Sequence, residues 1–215
     1  MRTLFAACLF LCIVPLAACA QVWDLAADYS GTQNPNQTWS YGWRIAPNQP
    51  NLPLILYTDH NYPCPEFVPW LYDINTGCPC VVENPYDYPL PCADWVLPPH
   101  KVNFHPGPAQ QCVVRWTAPT RMEVDLEAHF VSIDYGSKIV HIYLNGTELF
   151  TAPLANSDRA DFSAALSVGA GDVVDCAIDP VSFYYDSTQI DATFTEVPPT
   201  PVNTATWGQV KARFR

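Results

Sequence analysis

The sequence has few basic residues. It holds 10 lysine and arginine residues against 21 aspartate and glutamate residues, a formal net charge of −11 at pH 7. The imbalance is larger between Asp24 and Glu196, because that stretch carries all the acidic residues and only six basic ones. Such a surface repels the phosphate backbone of nucleic acids and anionic lipid head groups. We therefore expect neither as a partner.

Long apolar runs are also scarce, and the one near the start is short. Arg2 precedes an apolar run from Leu4 to Leu16, and small residues follow up to Ala20. This pattern predicts a secretory signal peptide over residues 1–20. The run is shorter than the roughly 20 apolar residues that span a bilayer. We expect an extracytoplasmic protein with no transmembrane span.

The end of the signal segment permits two kinds of cleavage. Residues 16–19, Leu-Ala-Ala-Cys, match the bacterial lipobox, which makes Cys19 a lipidation candidate and predicts a lipid anchor. Residues 18–20 also fit ordinary cleavage between small residues. The protein is therefore expected to be either secreted or anchored to the outer surface of a bacterial membrane.

Familiar catalytic motifs are missing from the sequence. It contains no GxSxG elbow, no HExxH pair and no glycine-rich phosphate loop after a strand. Glycosidases need two carboxylates, but 21 acidic residues make some such pair inevitable on any fold. We expect a protein that is not an enzyme, and a glycan-active hydrolase is the less favoured interpretation.

What the sequence does contain is alternation of apolar and polar residues, the pattern of half-buried strands. It is clearest from Met122 to Phe130 and recurs in short segments on to Val197, separated by turn residues such as Asn145-Gly146. Trp39 to Trp43 and Leu52 to Tyr57 add strands in the first half. We predict an all-β, two-sheet antiparallel β-sandwich, jelly-roll-like, with about eight to ten short strands.

The composition changes within residues 46–108, which hold 14 of the 22 prolines. Proline lacks the N–H that a central strand donates, so this stretch is not expected to be mostly sheet. We predict a long loop insertion rich in proline, cysteine and aromatic residues, inside a sandwich domain over residues 21–197. Residues 198–215 are interpreted as a proline-rich linker and a short C-terminal tail.

Six cysteines follow the signal segment, and an even number in an exported protein favours disulfides. All six are disulfide candidates, with 15 pairings open, and at least one bond is expected between residues 64 and 92, where four of them lie: Cys64, Cys78, Cys80, Cys92, Cys112 and Cys176.

Several phrases along the chain resemble a known group of domains. They include Trp39-Ser40-Tyr41-Gly42, Val114-Arg115-Trp116-Thr117 and Gly171-Asp172-Val173-Val174-Asp175. Over residues 28–194 the chain resembles uncharacterised exported bacterial β-sandwich domains of planctomycete-like surface proteins. At fold level it is similar to carbohydrate-binding modules and galactose-binding-like jelly rolls. The resemblance implies a sandwich fold and brings no catalytic residue with it.

Aromatic residues in the insertion are candidates for sugar binding, since exposed rings stack on the apolar C–H faces of sugars while carboxylates bind hydroxyls. The same rings would alternatively form a private core for a segment with little sheet. The candidate ligand-binding residues are Trp70, Tyr72, Tyr86, Tyr88, Trp95 and Asp94.

Aspartates crowd the last two predicted strands and their connection. Oxygen-rich loops of this kind hold structural Ca²⁺ in proteins, although aspartate also favours turns for local hydrogen-bonding reasons. No other cofactor is expected, and the weak calcium candidates are Asp179, Asp186 and Asp191.

Two functions from different classes follow from these features. The first is a non-catalytic extracytoplasmic binding module for carbohydrate or another surface polymer, which predicts solvent-exposed aromatic rings on loops. The second is a structural or interaction protein of the cell envelope with an envelope protein as partner. That hypothesis predicts an apolar patch or an unpaired edge strand, with the loop aromatics buried.

Overall fold

Alternating side chains build the long strands of the second half of the chain. From Met122 to Ser132, the apolar residues Val124, Leu126 and Phe130 are fully buried, whereas the acidic residues between them are exposed. Successive side chains of a strand point to opposite faces, so this sequence gives the strand one dry and one wet face. The apolar face of such a strand must be buried against another layer of secondary structure, so strands of this kind assemble into packed sheets.

The computed structural model describes residues 20–60, 64–72 and 77–199. Over these residues it contains no helix, and therefore none long and apolar enough to cross a membrane. The strands are β1 (Val22–Asp24), β2 (Trp39–Arg44), β3 (Ile55–Leu56), β4 (Val68–Leu71), β5 (Cys80–Glu83), β6 (Leu90–Cys92), β7 (Trp95–Leu97), β8 (Val102–His105), β9 (Gln111–Thr117), β10 (Met122–Ser132), β11 (Lys138–Leu144), β12 (Thr147–Leu154), β13 (Arg159–Val168), β14 (Val173–Pro180) and β15 (Thr188–Val197).

The strands form two large antiparallel sheets and one small hairpin. The seven-stranded sheet has the order β13-β10-β15-β8-β5-β4, and β1 also pairs with β15. The six-stranded sheet has the order β12-β11-β14-β9-β2-β3, while β6 pairs with β7 alone. The two-sheet antiparallel β-sandwich expected from the sequence is confirmed.

Aromatic rings from both sheets fill the space between them. Trp116 of β9 stacks on Phe194 of β15, with ring centroids 4.1 Å apart and ring planes 10° from parallel. Trp23 packs against Trp116 in a T-shaped arrangement, with ring centroids 5.5 Å apart. These rings come from the first, middle and last parts of the chain. The main core therefore ties residues 21–197 into one unit.

The insertion at residues 46–108 contains more strand than its prolines indicate. Six short strands lie in it, from β3 to β8, and β4, β5 and β8 extend the seven-stranded sheet. Both faces of β5 are buried: Val81 points into the main core, whereas Cys80 and Val82 point the other way into a second core. The β6–β7 hairpin supplies the cover of that second core through Leu90, Cys92, Trp95 and Leu97.

A buried ionic network covers the outer face of the six-stranded sheet. The Arg44 guanidinium contacts the carboxylate of Asp175, and Arg115 Nε donates to the same carboxylate at 2.6 Å. Arg44 also donates from Nη1 to Gln111 Oε1 at 2.6 Å and from Nε to the carbonyl of Leu52 at 3.1 Å. Because Arg44 and Asp175 are fully buried, the Arg44 charge depends on Asp175 for compensation, while Asp175 is compensated by both arginines.

Two terminal segments of the chain fall outside the described residues. They are residues 1–19, with the predicted signal peptide and lipidation candidate Cys19, and the predicted tail from residue 200 onward. The predictions about export, lipidation and the tail therefore stay predictions.

We expect Arg44→Met to lower the free energy of unfolding by about 3 kcal/mol, because it leaves a buried carboxylate with only one of its two cations. Urea denaturation followed by tryptophan fluorescence measures the change. Arg159→Met is the matched control, because Arg159 and its partner Asp161 are both about half exposed, and no measurable change is expected there. Equal losses in the two variants would contradict the stabilising role of the buried network.

Candidate functional site

A groove opens at one end of the seven-stranded sheet, where β5 begins, β8 ends and β15 begins. Its cavity measures about 230 Å³. We call it the end groove and define it by six of its lining residues: Cys78, Asp94, Trp95, His105, Asp134 and Tyr185. Three separate parts of the chain form its walls, so the groove exists only in the folded protein.

The β6–β7 hairpin forms the first wall. Its turn carries Ala93, in the left-handed region at φ 49°, and the exposed side chain of Asp94. Trp95 lies behind them and packs on Phe67 in the second core, with ring centroids 5.4 Å apart. A disulfide between Cys64 and Cys92 fixes the hairpin to the segment before β4. The expectation of at least one disulfide between residues 64 and 92 is confirmed.

The same hairpin is also held from its far end by Asn84, which is fully buried. The Asn84 Nδ2 group donates to the carbonyls of Tyr88 at 2.9 Å and Leu97 at 3.1 Å. Its Oδ1 accepts from the N–H of Tyr86 at 3.0 Å. The side-chain amide of Asn84 thus makes hydrogen bonds to backbone groups that the proline-rich segment between β5 and β7 does not pair within itself.

Two neighbouring loops, residues 133–137 and 181–187, form the second wall of the groove through Asp134, Tyr185 and Ser187. We call it the aromatic wall because these loops carry three exposed tyrosines, of which Tyr185 lines the cavity itself. Tyr135, Tyr184 and Tyr185 are 66%, 70% and 51% exposed, and the rings of Tyr135 and Tyr185 lie 6.3 Å apart. The loops are joined by a hydrogen bond from the N–H of Gly136 to the carbonyl of Tyr185 at 2.6 Å. A Cβ at residue 136 would lie 2.2 Å from Asp186 Oδ1, so only glycine lets the loops approach this closely.

The buried side chain of Lys138 connects these two loops through hydrogen bonds to their backbone carbonyls. Lys138 Nζ donates to the carbonyls of Asp134 at 3.4 Å and Tyr185 at 3.3 Å. Burial lowers the pKa of Lys138, and the nearby carboxylate of Asp186 opposes that shift. The exposed tyrosines are therefore carried on backbone that is anchored to the body of the sheet.

His105 and Cys78 lie on the floor of the groove. Because His105 of β8 pairs directly with Cys80 of β5, the two side chains share the outer face of the sheet, where Cys78 also lies. His105 Nδ1 is 2.7 Å from the carbonyl of Pro106, which only accepts, so Nδ1 carries the proton. Nε2 accepts a long hydrogen bond of 3.3 Å from the N–H of Asp186.

The pKa values on this floor are displaced by the contacts among its groups. A hydrogen bond from Cys80 lowers the pKa of the Cys78 thiol to about 5, burial opposes this, and the charge and hydrogen bond of His105 add to the lowering. Burial by itself would lower the pKa of His105, but Cys78, the Pro106 carbonyl and the Asp186 carboxylate together outweigh burial, and the pKa is raised. The contacts on the floor thus lower the pKa of the thiol and raise that of the imidazole.

Asp186 is a buried carboxylate next to this pair. Both of its oxygens are buried without a hydrogen-bond partner among the described residues. Burial raises its pKa to about 6, against the opposing charges of His105 and Lys138. Asp186 therefore carries a charge at neutral pH that its surroundings solvate poorly.

The structure distributes the candidate sugar-binding residues over four places. Asp94 and Trp95 line the end groove together. Tyr86 and Tyr88 are exposed and stack on each other with centroids 5.1 Å apart, and Tyr72 is exposed and meets the edge of Trp43 at 4.6 Å. Trp70 is buried in the main core, where its Nε1 donates to the carbonyl of Ser30 at 2.6 Å.

The calcium candidates do not meet. Asp179 accepts from Gln111 Nε2 at 2.7 Å, Asp191 accepts from Lys101 Nζ at 2.7 Å, and Asp186 lies under the groove. In the described part of the chain, no group of three or more His, Cys, Asp or Glu side chains is placed to hold a metal ion.

The remaining disulfide candidates include two buried thiols of the main core. Cys112 accepts a hydrogen bond from the hydroxyl of Tyr57 at 3.2 Å and donates to the carbonyl of Cys80 at 3.3 Å. Burial raises the pKa of Cys112 and of Cys176 to about 12. These two thiols behave as apolar core groups.

Sequence reasoning missed the aromatic wall. Phe183, Tyr184 and Tyr185 are consecutive, which breaks the alternation of the flanking strands and places rings where a turn was expected. Three aromatic residues in a row between two strands are the signal that could have found this wall. The Cys78 and His105 contact had no such signal, because it depends on the pairing of β5 with β8.

No protein-family model matches the chain, and no curated protein does. Among solved structures, CBM51-2 in complex with GlcNAc and INT domains from Clostridium perfringens ZmpB is 14% identical, with a TM-score of 0.32 over 44% of this chain and 21% of that chain. The CBM36-1 domain of a multidomain xylanase from the hindgut metagenome of Trinervitermes trinervoides is 12% identical, with a TM-score of 0.32 over 46% of this chain and 79% of that chain. A cyclase from Fischerella sp. TAU is 11% identical, with a TM-score of 0.37 over 76% of this chain and 100% of that chain. With TM-scores below 0.5, these likenesses carry no argument about function.

Asp186 gives the fold a pH dependence with a defined sign. Its folded pKa of about 6 lies above the ordinary 3.8, so the folded state holds the proton more tightly. The free energy of unfolding must then fall as pH rises from about 4 to 6. We expect Asp186→Asn to flatten this part of the curve and to raise stability at pH 7, as measured by urea denaturation across pH.

Asp94→Asn is the control for that experiment, since Asp94 is exposed at the same groove and its substitution is expected to leave the curve unchanged. If Asp186→Asn lowered stability equally at every pH, the carboxylate would be a needed partner of Lys138, and the expected sign of the pH dependence would be wrong.

Proposed function

We propose that this protein is a non-catalytic extracytoplasmic binding module that binds a neutral polysaccharide at the end groove. One observation carries the proposal: the exposed Tyr185 lines a cavity together with two acidic residues, the exposed Asp94 and the buried Asp134. Two more exposed tyrosines, Tyr135 and Tyr184, lie on the same two loops.

Sugars match this combination of groups. The C–H faces of a pyranose are apolar and stack on aromatic rings, and its hydroxyls donate to carboxylates. An exposed aromatic ring keeps its apolar surface in contact with water. A ligand that covers the ring removes this surface from water, which lowers the free energy of the complex. Rings on a fixed backbone also lose little conformational entropy on binding.

Backbone strain supports the placement of the site. Phe183 and Tyr185 have φ values of 66° and 65°, and Ala93 on the opposite wall has a φ of 49°. A residue with a Cβ in the left-handed region costs about 1–2 kcal/mol. Strain of this kind clusters at ligand-binding segments because surrounding contacts must hold it there, in this groove those of Gly136 and Lys138.

The size and charge of the site restrict the ligand. A cavity of about 230 Å³ is smaller than the roughly 300–1,000 Å³ of pockets that enclose drug-sized ligands. It suits one sugar ring, with the rest of a polymer lying across the exposed tyrosines. The net charge of −11 disfavours acidic polysaccharides, so a neutral polymer of the cell surface is proposed.

A second candidate function rests on a different observation. Within the described residues, the ten-residue strand β13 pairs with β10 on one side only, and it forms an edge of the seven-stranded sheet. An edge strand can pair with an extended segment of another protein. An envelope protein that adds a strand at β13 is therefore the alternative partner, and it would leave the end groove unused.

The test is a glycan array with the purified protein, followed by calorimetric titration of the best oligosaccharide, with and without added Ca²⁺. We expect Tyr185→Ala to weaken binding at least about fivefold, since one aromatic stacking contact contributes about 1 kcal/mol. The fold of the variant is checked by its unfolding midpoint.

Tyr88→Ala is the matched control, because Tyr88 is 54% exposed and Tyr185 is 51% exposed. Unchanged affinity in Tyr88→Ala together with weakened binding in Tyr185→Ala supports the end groove. The reverse result would move the site to the Tyr86 and Tyr88 pair, and absence of binding across the array would favour the envelope partner at β13.

A further inference from the structure

A second cavity opens between the two large sheets, at the end of the sandwich away from the end groove. It measures about 430 Å³. We call it the inter-sheet slot and define it by six of its lining residues: Trp23, Gln37, Thr38, Pro119, Met122 and Glu196. Met122 lies at the start of β10 and lines the slot, whereas Asp134, just beyond the end of β10, lines the end groove. At about 3.3 Å per residue, the 11 residues of β10 separate the two cavities by roughly 30 Å.

The path of the chain holds the two sheets apart at this end. Because β9 belongs to the six-stranded sheet and β10 to the seven-stranded sheet, residues 118–121 cross from one sheet to the other. Pro119 and Thr120 in this crossing are exposed and line the slot. Trp23 of β1 lines it as well, with its ring packed against Trp116 of the main core. The slot is therefore bounded by a packed aromatic ring and by an exposed turn.

The turn that carries Gln37 and Thr38 is fixed by its own backbone. Asn36 and Trp39 close this turn with two backbone hydrogen bonds, 2.8 Å and 2.9 Å long. The carbonyl of Thr38 accepts from the N–H of Thr117 at 2.8 Å, which joins the turn to β9. Gln37 has a φ of 50°, a left-handed conformation that persists only where surrounding contacts hold it. The side chains of this turn are thus presented to the slot by ordered backbone.

Thr38 supplies a polar group that the fold leaves unused. Thr38 is 9% exposed and lines the slot, and its Oγ1 is buried with no hydrogen-bond partner among the described residues. An unpaired buried hydroxyl is unfavourable, because it has lost its hydrogen bonds to water. The side chain has three staggered χ1 positions, so the hydroxyl can turn to a ligand without movement of the backbone. A ligand hydroxyl in the slot would give this group the partner that the protein does not provide.

The remaining lining groups restrict the class of ligand. Besides Thr38, four lining side chains are neutral amides or hydroxyls, and Trp23 and Met122 add apolar surface. Among the described residues that line the slot, Glu196 alone is charged, and none is lysine, arginine or histidine. The Glu196 carboxylate accepts from the N–H of Gln21 at 3.3 Å and has lone pairs left for further donors. An anionic ligand would therefore meet a carboxylate and no counter-charge.

We propose that the inter-sheet slot is a second binding site, for a neutral sugar whose hydroxyls bind Thr38 and Glu196 and whose apolar face contacts Trp23. A sugar ring combines hydroxyls with an apolar C–H face, as the lining of the slot requires. Its cavity of about 430 Å³ falls within the roughly 300–1,000 Å³ of pockets that enclose small ligands. The slot shares no lining residue with the end groove, so binding at either place is independent of binding at the other.

The test is an amide NMR titration of the labelled protein with neutral disaccharides of glucose, mannose, xylose and N-acetylglucosamine. Digalacturonate serves as the anionic counterpart. For at least one neutral disaccharide, we expect the resonances of Gln37, Thr38 and Thr120 to shift together with one dissociation constant. Digalacturonate is expected to bind at the slot at least about tenfold more weakly at low salt.

Two variants test the named contacts. Thr38→Val keeps the shape of the side chain without its hydroxyl, and it should weaken binding at the slot about fivefold through the loss of one hydrogen bond. Its unfolding midpoint should stay equal or rise, because the substitution removes an unpaired buried hydroxyl. Glu196→Gln should weaken binding by a similar factor. Thr151→Val is the matched control, since it makes the same change at an exposed position of β12, and it should alter neither binding nor the midpoint.

Four outcomes would overturn the proposal. They are no shift at the slot with any neutral disaccharide, shifts that neither variant weakens, equal binding of digalacturonate, and a lower unfolding midpoint in Thr38→Val. The same spectra separate this site from the end groove. Shifts at Gln37 and Thr38 without shifts at Asp94 and Tyr185 would support the slot and count against the groove. The reverse pattern would support the groove and remove the slot.

Discussion

The Cys64–Cys92 disulfide fastens a part of the chain that backbone pairing alone does not hold. The β6–β7 hairpin has three residues in each strand and pairs with no other strand among the described residues. A lone two-stranded hairpin is marginal in water, so its position depends on the disulfide, the amide of Asn84 and the packing of Trp95 on Phe67. The wall of the end groove depends on the same three contacts, and so does everything proposed for the groove.

Period-two alternation predicted β10 and β13 well, because each has one wet face. The predicted strand from Lys138 to Leu144 is the observed β11, although most of its residues are buried on both faces. The sequence did not reveal β4 and β5. Each has four residues, a proline lies in β4, and both faces of β5 are buried, so no alternation marks them. The short strands β6, β7 and β8 were missed as well, so fifteen strands are observed over the described residues where eight to ten were expected.

The site was predictable only in part, for a physical reason. Asp94 and Trp95 were found because a turn carboxylate beside an aromatic residue is a local pattern, and both line the groove. The sequence around Trp70 has a similar composition, but Trp70 points into the main core. Its position in β4 determines which face of the sheet its side chain occupies. The contact of Cys78 with His105 joins residues 27 positions apart through the register of β5 and β8, and no local pattern encodes a register.

The proposed function depends most on the end groove being where the ligand lies. Amide NMR spectra of the labelled protein, recorded while a binding oligosaccharide is added, test this most directly. If the groove is the binding site, the resonances of Asp94, Asp134 and Tyr185, which come from three different segments, shift together and saturate at one ligand concentration. Shifts confined to Tyr86 and Tyr88, or spread along β13 with the groove unchanged, would contradict binding in the groove.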